Sequence, residues 1–206
     1  MLYADNGYSI TSDNYSQYAL VTESPTQTET LSGPETQALL YALARLCQAG
    51  QIASHLKRGI FYNKPEERAA AVSAANFALA GNPPIAELQS YSDIQILNLN
   101  ADQRRLLHGL LGKIDELNEL ADAIKGELMG NKPLDGVNVE EEIGDDLWYD
   151  AVILDTIQTT FNEVMTRNIR KLKKRYPQGY TDQAAHTRDL AGEREVLASA
   201  VSATVQ

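Results

Sequence analysis

The chain has 206 residues, which is long enough to bury a hydrophobic core without disulfides or structural metals. Its formal net charge of −10 disfavours a general polyanion-binding protein, because such proteins need a basic surface to displace counterions from phosphates. Nucleic acid is therefore a disfavoured partner, and an acidic protein that handles phosphate usually needs cations.

Cysteine content and the N-terminal sequence bear on the compartment. Cys47 is the only cysteine, so the chain cannot form an intramolecular disulfide, which is typical of a reducing compartment. The first 25 residues lack the basic flank and the apolar run of a signal peptide. No window approaches the roughly 18 consecutive apolar residues that a membrane helix needs. We therefore expect a cytoplasmic protein that has no membrane partner.

The first half of the sequence predicts helices separated by polar breaks, in keeping with a composition rich in Ala, Leu, Glu and Gln. Ser32 followed by Pro34 and Glu35 predicts a helix start, because it supplies a side-chain oxygen, a preset φ and a favourable negative charge. Stretches rich in Pro and Asn predict the helix ends. The predicted elements are a short amphipathic helix at 14–23, a polar loop at 24–31, helices at 34–61 and 65–80, and an irregular connection at 82–99 in which DIQILNL is extended or briefly helical.

The second half predicts a helical hairpin and a long continuation. Asn100 is placed to cap a helix whose apolar residues recur at intervals of three and four and form one buried stripe. Asn138 with Glu141 three positions later predicts the start of the next helix, which contains no proline and runs on, straight or bent. The predicted elements are helices at 101–129, 139–175 and 181–198, separated by the loop GNKPLDGV and the turn YPQG.

An internal repeat at an offset of 68 residues relates the two halves without a gap. The stretch CQAGQIASHLKRGIFYNKP at 47–65 aligns with DELNELADAIKGELMGNKP at 115–133. Chance similarity between two amphipathic helices would explain matched apolar positions, but the matched cap and terminating tripeptide favour duplication. The equivalent positions include Ser32 and Asn100, Leu39 and Leu107, Leu43 and Leu111, Arg45 and Lys113, Lys57 and Lys125, and the tripeptides 63–65 and 131–133.

Two pairs of acidic residues stand at helical spacing in the second half. Glu116 and Glu119 are three residues apart on one predicted helix, so they share a face of it. Glu142 and Asp145 are three apart on the next helix. If the two helices pack antiparallel, the four acids converge and would repel one another unless cations sat among them. Such hard oxygen ligands suit Mg²⁺ or Mn²⁺, which also take ligands from substrate phosphates.

A solvated helix face is the main alternative, because glutamate-rich helices usually present their acids to water. Two observations favour a site. The first pair lies beside Leu117 and Leu120, at the edge of the apolar stripe. The second pair lies in EEEIGDDLWYDAVIL, where the apolar residues indicate a helix with a buried flank, and acids there need partners.

An E-x-x-E pair, a spacer and an E-x-x-D pair on two antiparallel helices resemble the all-α nucleoside triphosphate pyrophosphohydrolases. These are the MazG-like proteins, with dimeric dUTPases and phosphoribosyl-ATP pyrophosphohydrolases as relatives. The stretch NVEEEIGDDLWY is similar to the second half of their motif, and NIRKLKKRYPQGYTDQAAHTRDLAGEREVL resembles the C-terminal extension of many members. The resemblance covers about 100–197 and, through the repeat, 32–65 weakly. By motif position it implies Glu116, Glu119, Glu142 and Asp145 as metal ligands and Asn168, Lys171 and Arg175 as phosphate contacts.

The resemblance also implies a fold and an activity. We expect an all-α antiparallel helical bundle that hydrolyses a (d)NTP to the (d)NMP and pyrophosphate, with Mg²⁺ or Mn²⁺ as cofactor and Glu119 as general base. We further expect one domain over 1–206, an internally duplicated pseudo-dimer in which 32–99 is a degenerate repeat without metal and 100–198 is the catalytic repeat. The degenerate half would be structural or line the base pocket. A fused pseudo-dimer is complete as a monomer, whereas family habit favours a homodimer.

The first acidic pair departs from the family's common E-A-G-E pattern. Leu117 and Asn118 stand between the acids here, where the family often has small residues. The degenerate repeat keeps Ala-Gly at the equivalent place but has Gln48 and Gln51 where the acids would be. The two halves have therefore diverged in opposite ways, which leaves the base preference open.

Other interpretations remain open at the level of the sequence. The basic segment 167–175 would suit a helical nucleic-acid- or protein-binding module, although cations near a helix C-terminus also favour the macrodipole. The degenerate first half would suit a catalytically inactive structural paralogue. Trp148 and Tyr149 would either pack in the core or stack on a base, and the apolar continuation of their helix favours the core.

Overall fold

A computed structural model of the chain describes residues 10–23, 29–61, 64–80, 97–130 and 132–199. As the sequence predicted, this part is all-α apart from one small antiparallel sheet. None of the helices in these ranges has an apolar stretch that would span a lipid bilayer. The elements are α1 (Tyr15–Ala19) with a 3₁₀ turn (Leu20–Thr22), β1 (Thr30–Leu31), α2 (Gly33–Phe61), α3 (Pro65–Leu79), β2 (Leu97–Asn98), α4 (Ala101–Leu128), α5 (Gly136–Thr156), α6 (Phe161–Arg175), α7 (Asp182–His186) and α8 (Leu190–Ala198).

The elements form two compact units. One unit contains α1, α4, α5 and α6 up to Lys171. The other contains both strands, α2, α3 and the stretch Leu172–Arg194. The irregular connection predicted at 82–99 lies mainly outside the described residues, as does most of DIQILNL.

The α2–α3 hairpin begins where the sequence predicted. The backbone N–H of Ser32 donates to the Glu35 carboxylate at 2.8 Å, and Ser32 Oγ accepts from the Glu35 N–H at 3.5 Å. These reciprocal bonds satisfy two donors at the helix N-terminus. α3 begins with Pro65, whose fixed φ suits the first helical turn, whereas the neighbouring breaker Asn63 lies outside the described residues.

α4 and α5 form the antiparallel hairpin that would bring the two acidic pairs together. Asn100 caps α4, as predicted, and completes a reciprocal capping box. Near the open end of the hairpin, Arg105 Nη1 lies 2.7 Å from Asp155 Oδ2. Further along, Lys113 Nζ lies 2.7 Å from Asp146 Oδ1. Residues with higher numbers in α4 therefore pair with residues with lower numbers in α5, which shows that the two helices are antiparallel.

Two glycines of α4 allow the helices of this hairpin to approach closely. A Cβ added to Gly109 would lie 2.6 Å from Ile153 Cγ1, and one added to Gly112 would lie 2.1 Å from Tyr149 Cε1. Side-chain carbons do not approach one another so closely, so a larger residue at either position would push α5 or its side chains away. Val152, on the same stretch of α5, is fully buried. These contacts set the spacing and the register on which the acidic pairs depend.

The prediction of one helix over 139–175 is wrong, because the chain breaks between α5 and α6. Gln158 adopts a left-handed φ of 56°, and its N–H donates to the Asp155 carbonyl at 3.0 Å in a Schellman-type ending. A capping box then starts α6: Thr160 Oγ1 accepts from the Glu163 N–H at 3.2 Å, and the Glu163 carboxylate accepts from the Thr160 N–H at 3.3 Å. The T-x-x-E pattern at 160–163 carries this signal, whereas the prediction rested on the absence of proline.

Two other helix bounds differ from the prediction for the same kind of reason. α5 begins at Gly136, because the side chain of Asp135 takes the capping place predicted for Asn138. The helix predicted over 181–198 is divided into α7 and α8, because the side chain of Asp189 accepts a backbone N–H and caps a new helix. Short polar side chains thus set these boundaries where apolar periodicity continues.

The small sheet pairs positions that the internal repeat equates. Part of the loop predicted at 24–31 is β1, and its Thr30 is the register partner of Asn98, 68 residues later. Antiparallel strands that pair at equivalent residues have a local two-fold axis at that pair, which is what a duplication would leave. The duplication, the pseudo-dimer and the single-domain assignment over 1–206 stay predictions.

Candidate carboxylate site in the α4–α5 hairpin

The hairpin brings the predicted acids of α4 and α5 together. The carboxyl groups of Glu116 and Glu119 both lie close enough to the carboxyl group of Glu142 for it to raise their pKa values. Asp145 is close enough for its charge to act on Glu116. Glu142 retains only 5 % of its accessible surface and lies at the centre of the group. The spacing of three residues within each helix and the register between the helices together produce this cluster.

The environment of Glu116 and Glu119 raises the pKa of both acids. Burial, with added effects of a hydrogen bond to Glu142 and the charge of Asp145, raises the pKa of Glu116 to about 7. The negative charge of Glu142 is the main cause that raises the pKa of Glu119, and burial comes second. A proton on either of these two acids would relieve part of the repulsion in the cluster, and a cation bound here would have to displace it.

No cationic side chain compensates the cluster in the part of the chain that the structure describes. None of its four acids forms an ion pair with Lys or Arg there. Lys113, the nearest cation along α4, is engaged by Asp146 at 2.7 Å and Asp150 at 2.9 Å. The neutral side chain of Asn138 instead donates from Nδ2 to Glu142 Oε1 at 2.9 Å. This bond orients the buried carboxylate without neutralising its charge.

The donor set fits a hard divalent cation in kind and in placement. Four carboxylates on facing helix turns offer the oxygen ligands that Mg²⁺ and Mn²⁺ prefer. Among the described residues, however, no three acidic, His or Cys side chains already stand in a geometry that could hold a metal ion. This is consistent with carboxyl groups that are hydrogen-bonded to one another, and rotation of their side chains about the helix face would free the oxygens.

Trp148 and Tyr149 have packing contacts in this unit, as the core interpretation predicted. Trp148 Nε1 donates to the Ala19 carbonyl at 2.9 Å, which ties α5 to α1. The Trp148 and Tyr149 rings meet edge to face with centroids 5.0 Å apart. Burial raises the pKa of Tyr149, and the charge of Glu116 adds to that effect. The pair therefore supports the helices behind the acids.

A cavity of about 510 Å³ opens from the acidic cluster toward the tip of the hairpin. Glu119 and Glu142 lie at one end of its lining, and Lys125 and Lys132 lie toward the α4–α5 loop. Its volume is within the range of about 300–1,000 Å³ that small-molecule sites usually have. A ligand held at the acids therefore has room to extend along the hairpin.

The three predicted phosphate contacts lie along α6, in different surroundings. The side chains of Asn168 and Lys171 have no hydrogen bond or ion pair to another described residue. Arg175 donates from Nε and Nη2 to the carboxylate of Glu193 at 2.8 and 2.5 Å, and Arg188 donates to the same carboxylate at 2.7 Å. The hydrogen bond to Glu193 raises the pKa of Arg175 above its usual value. The phosphate role of the three residues stays a prediction, and for Arg175 it requires release from Glu193.

Sequence reasoning missed two residues that the structure places in or beside the cluster. Asn138 was interpreted as a helix cap, although it stands four residues before Glu142 and so faces it across one helical turn. Lys113 was noted only as a position of the repeat, although it spans the two helices. The spacing of four residues between Asn138 and Glu142 could have indicated their contact. The contact of Lys113 with α5 could not be predicted without the register of the hairpin.

Comparison with known families agrees with this geometry. Residues 105–180 match the profile of the MazG nucleotide pyrophosphohydrolase domain. The matched segment contains both acidic pairs and all three predicted phosphate contacts. Comparisons with curated proteins and with solved structures found no match. The segment 105–180 is therefore similar to MazG nucleotide pyrophosphohydrolase domains, the family that the E-x-x-E and E-x-x-D pairs on two antiparallel helices resemble.

Proposed function

We propose that this protein is a metal-dependent nucleoside triphosphate pyrophosphohydrolase, which hydrolyses a (d)NTP to the (d)NMP and pyrophosphate. The observation that carries the proposal is the buried Glu142, which lies beside two further acids and forms no ion pair with a Lys or Arg among the described residues. A buried charge surrounded by like charges is costly unless a ligand compensates it. Within a MazG-like segment, a divalent cation such as Mg²⁺ or Mn²⁺ is the compensating ligand that the acids suit.

The reaction divides among the residues of the hairpin as follows. Glu116, Glu119, Glu142 and Asp145 would hold the cation, and Asn138 would keep Glu142 oriented toward it. A bound divalent cation neutralises charge on the phosphates and lowers the pKa of a water molecule. Glu119 accepts the proton of the attacking water, since the charge of Glu142 raises the pKa of Glu119 and makes it a better proton acceptor. The water oxygen bonds to the α-phosphorus, the bond to the bridging oxygen of the β-phosphate breaks, and pyrophosphate leaves.

The remaining contacts concern the substrate phosphates. Asn168 and Lys171 lie three residues apart on α6, so one helix face can present both. Arg175, four residues further, adds a planar fork to that set if it exchanges Glu193 for a phosphate. These residues would position the triphosphate, while the acids act on its α-phosphorus.

Pyrophosphate release from a panel of (d)NTPs, with Mg²⁺ or Mn²⁺, tests the proposal. Wild type should release pyrophosphate from at least one substrate, and Glu119→Gln should be slower by about 10²–10⁴-fold. Glu140→Gln is the matched control, because Glu140 is an exposed acid on α5 outside the cluster. Equal inertness of wild type and Glu119→Gln would refute the proposal. In that case, steeply salt-dependent nucleic-acid binding through 167–175 would indicate a binding module, and no effect of divalent ions on thermal stability would indicate an inactive paralogue.

A further inference from the structure

The cavity at the hairpin tip shares two of its lining residues with the acidic cluster. Glu119 and Glu142 belong to both. A substrate whose α-phosphorus lies at the acids could therefore extend one of its two ends, the terminal phosphates or the nucleoside, into this cavity. No aromatic side chain is among the residues that line it. Nucleobases often stack on aromatic side chains, which this lining does not offer, whereas its two lysines offer donors to phosphate oxygens.

Two lysines, Lys125 and Lys132, line this cavity. The Lys125 ammonium donates a hydrogen bond to the carboxylate of Asp122, and this bond is the main cause that lowers the pKa of Asp122. The charge of Lys132 also lowers that pKa, which places both lysines around the same carboxylate. An ammonium has three donors, so each lysine can contact a phosphate oxygen while it remains near Asp122.

Two hydrogen bonds to α4 hold the backbone of the described residues 132–134 beside the cavity. The Lys132 N–H donates to the Gly126 carbonyl at 3.3 Å, and the Leu134 N–H donates to the Glu127 carboxylate at 2.8 Å. Both acceptors belong to the last turns of α4. These bonds anchor the residues on either side of Pro133 to the helix, which keeps Lys132 next to the cavity.

The position of these lysines suits a leaving group that gains negative charge. As the bond to the α-phosphorus breaks, charge grows on the pyrophosphate, and cations near it stabilise the transition state. In the proposed reaction the acids at the other end of the cavity would hold the cation, and the α-phosphorus lies beside them. A triphosphate that extends from the acids to the loop would bring its terminal phosphates to the two lysines.

We propose that the cavity between the acidic cluster and the α4–α5 loop is the subsite for the leaving pyrophosphate, with Lys125 and Lys132 as its cationic contacts. This assignment rests on the proposed function and extends it, because it places the terminal phosphates at the hairpin tip and leaves the α-phosphate end of the triphosphate to the residues of α6. The single observation behind it is the convergence of both lysines in a cavity that begins at the acids.

Calorimetric titration of the full chain with inorganic pyrophosphate, in the presence of Mn²⁺, tests the subsite directly. Lys125→Gln and Lys132→Gln should each weaken pyrophosphate binding by roughly tenfold, because a hydrogen bond to a charged group contributes about that factor. The internal repeat supplies the matched controls, since Lys57→Gln and Lys64→Gln change the equivalent lysines of the other half and should leave binding unchanged. Affinity for nucleoside monophosphates should not change in any of the four variants.

The outcomes separate the subsite from the proposed function. Wild type that does not bind pyrophosphate, or a double variant of Lys125 and Lys132 that binds it with wild-type affinity, overturns the subsite. If Lys171→Gln alone weakens binding, the terminal phosphates lie at α6 and the subsite is also overturned. If pyrophosphate binding depends on the two lysines but no (d)NTP is hydrolysed, the subsite stands and the proposed function fails. If the double variant hydrolyses a (d)NTP with an unchanged KM, the function stands and the subsite fails.

Discussion

Replacing Glu142 by Gln tests whether the buried acid serves a cation or the fold. Without divalent ions the charge of Glu142 opposes the charges of Glu116 and Glu119, so its removal should stabilise the protein. With a divalent ion the same substitution removes the central ligand, so the ion should no longer stabilise the variant. The change is therefore expected to act in opposite directions with and without metal, which a purely structural residue would not show.

The size of the effect follows from the pKa of Glu116. A rise from 4.5 to about 7 corresponds to at most about 3.5 kcal/mol, at about 1.4 kcal/mol per unit. Burial and Asp145 contribute to that rise together with Glu142, and solvent at the edge of the hairpin weakens the interaction, which leaves about 1 kcal/mol for the charge of Glu142. In a chain of this size, about 1 kcal/mol shifts the midpoint of thermal unfolding by roughly 2–4 °C.

Thermal unfolding of wild type and Glu142→Gln, in EDTA and in millimolar Mn²⁺ at pH 8, measures both effects. The variant should unfold roughly 2–4 °C above wild type in EDTA and should lose the rise that Mn²⁺ gives to wild type. The folded pKa of Glu116 is raised, so the penalty is complete above about pH 7 and absent below about pH 4.5, where the advantage in EDTA should vanish. Glu140→Gln, on the same helix, should resemble wild type in both conditions. A variant that is less stable than wild type in EDTA, or that keeps its response to Mn²⁺, would refute this reasoning.

Three further predictions concern the framework of the site. Gly112→Ala should lower the free energy of unfolding by roughly 1 kcal/mol in urea titrations, because a Cβ at 2.1 Å from Tyr149 Cε1 costs more than the helix propensity of Ala returns; an unchanged midpoint would contradict the close approach. Gln158→Gly should raise the midpoint of thermal unfolding by the equivalent of about 1 kcal/mol, because φ of 56° is strained for a residue with a side chain, and a loss of stability would show that the strain is compensated. Arginine hydrogen bonds lower the pKa of Glu193 to about 2, so its stabilisation is complete above about pH 4.5 and disappears as pH falls toward 2. Glu193→Gln should therefore be less stable than wild type at pH 7 and approach it in unfolding titrations at low pH, and a difference that persists at pH 2 would exclude this ion pair as the cause.

Local signals in the sequence were sufficient for the fold class and for most helix starts. Ser32 and Asn100 each begin a helix as predicted, because a cap depends on residues three positions apart and on nothing distant. The break between α5 and α6 was also encoded locally, by Thr160 and Glu163, but the prediction rested on the lack of proline and did not consider this pair. The signal for the break is therefore present in the sequence.

The candidate site was predictable in its residues and only partly in its chemistry. Spacing of three on each of two helices was enough to name Glu116, Glu119, Glu142 and Asp145, and the structure brings them together. The burial of Glu142 and the raised pKa of Glu116 depend on the distance between α4 and α5, which Gly109 and Gly112 allow. No spacing along the chain reports that distance.

The sequence by itself determined that the chain is helical, that its acids fall into two pairs on helix faces, and that its basic residues concentrate near 167–175. The tertiary structure alone decided which charged side chains pair with each other across the fold and which ones line the cavity. It commits Arg175 to Glu193 and Lys113 to Asp146, and it directs Lys125 and Lys132 into the cavity beside the acids. The physical reason is that helix formation depends on neighbours within one turn, whereas a side chain's charge partner is set by the packing of elements that lie far apart in the chain.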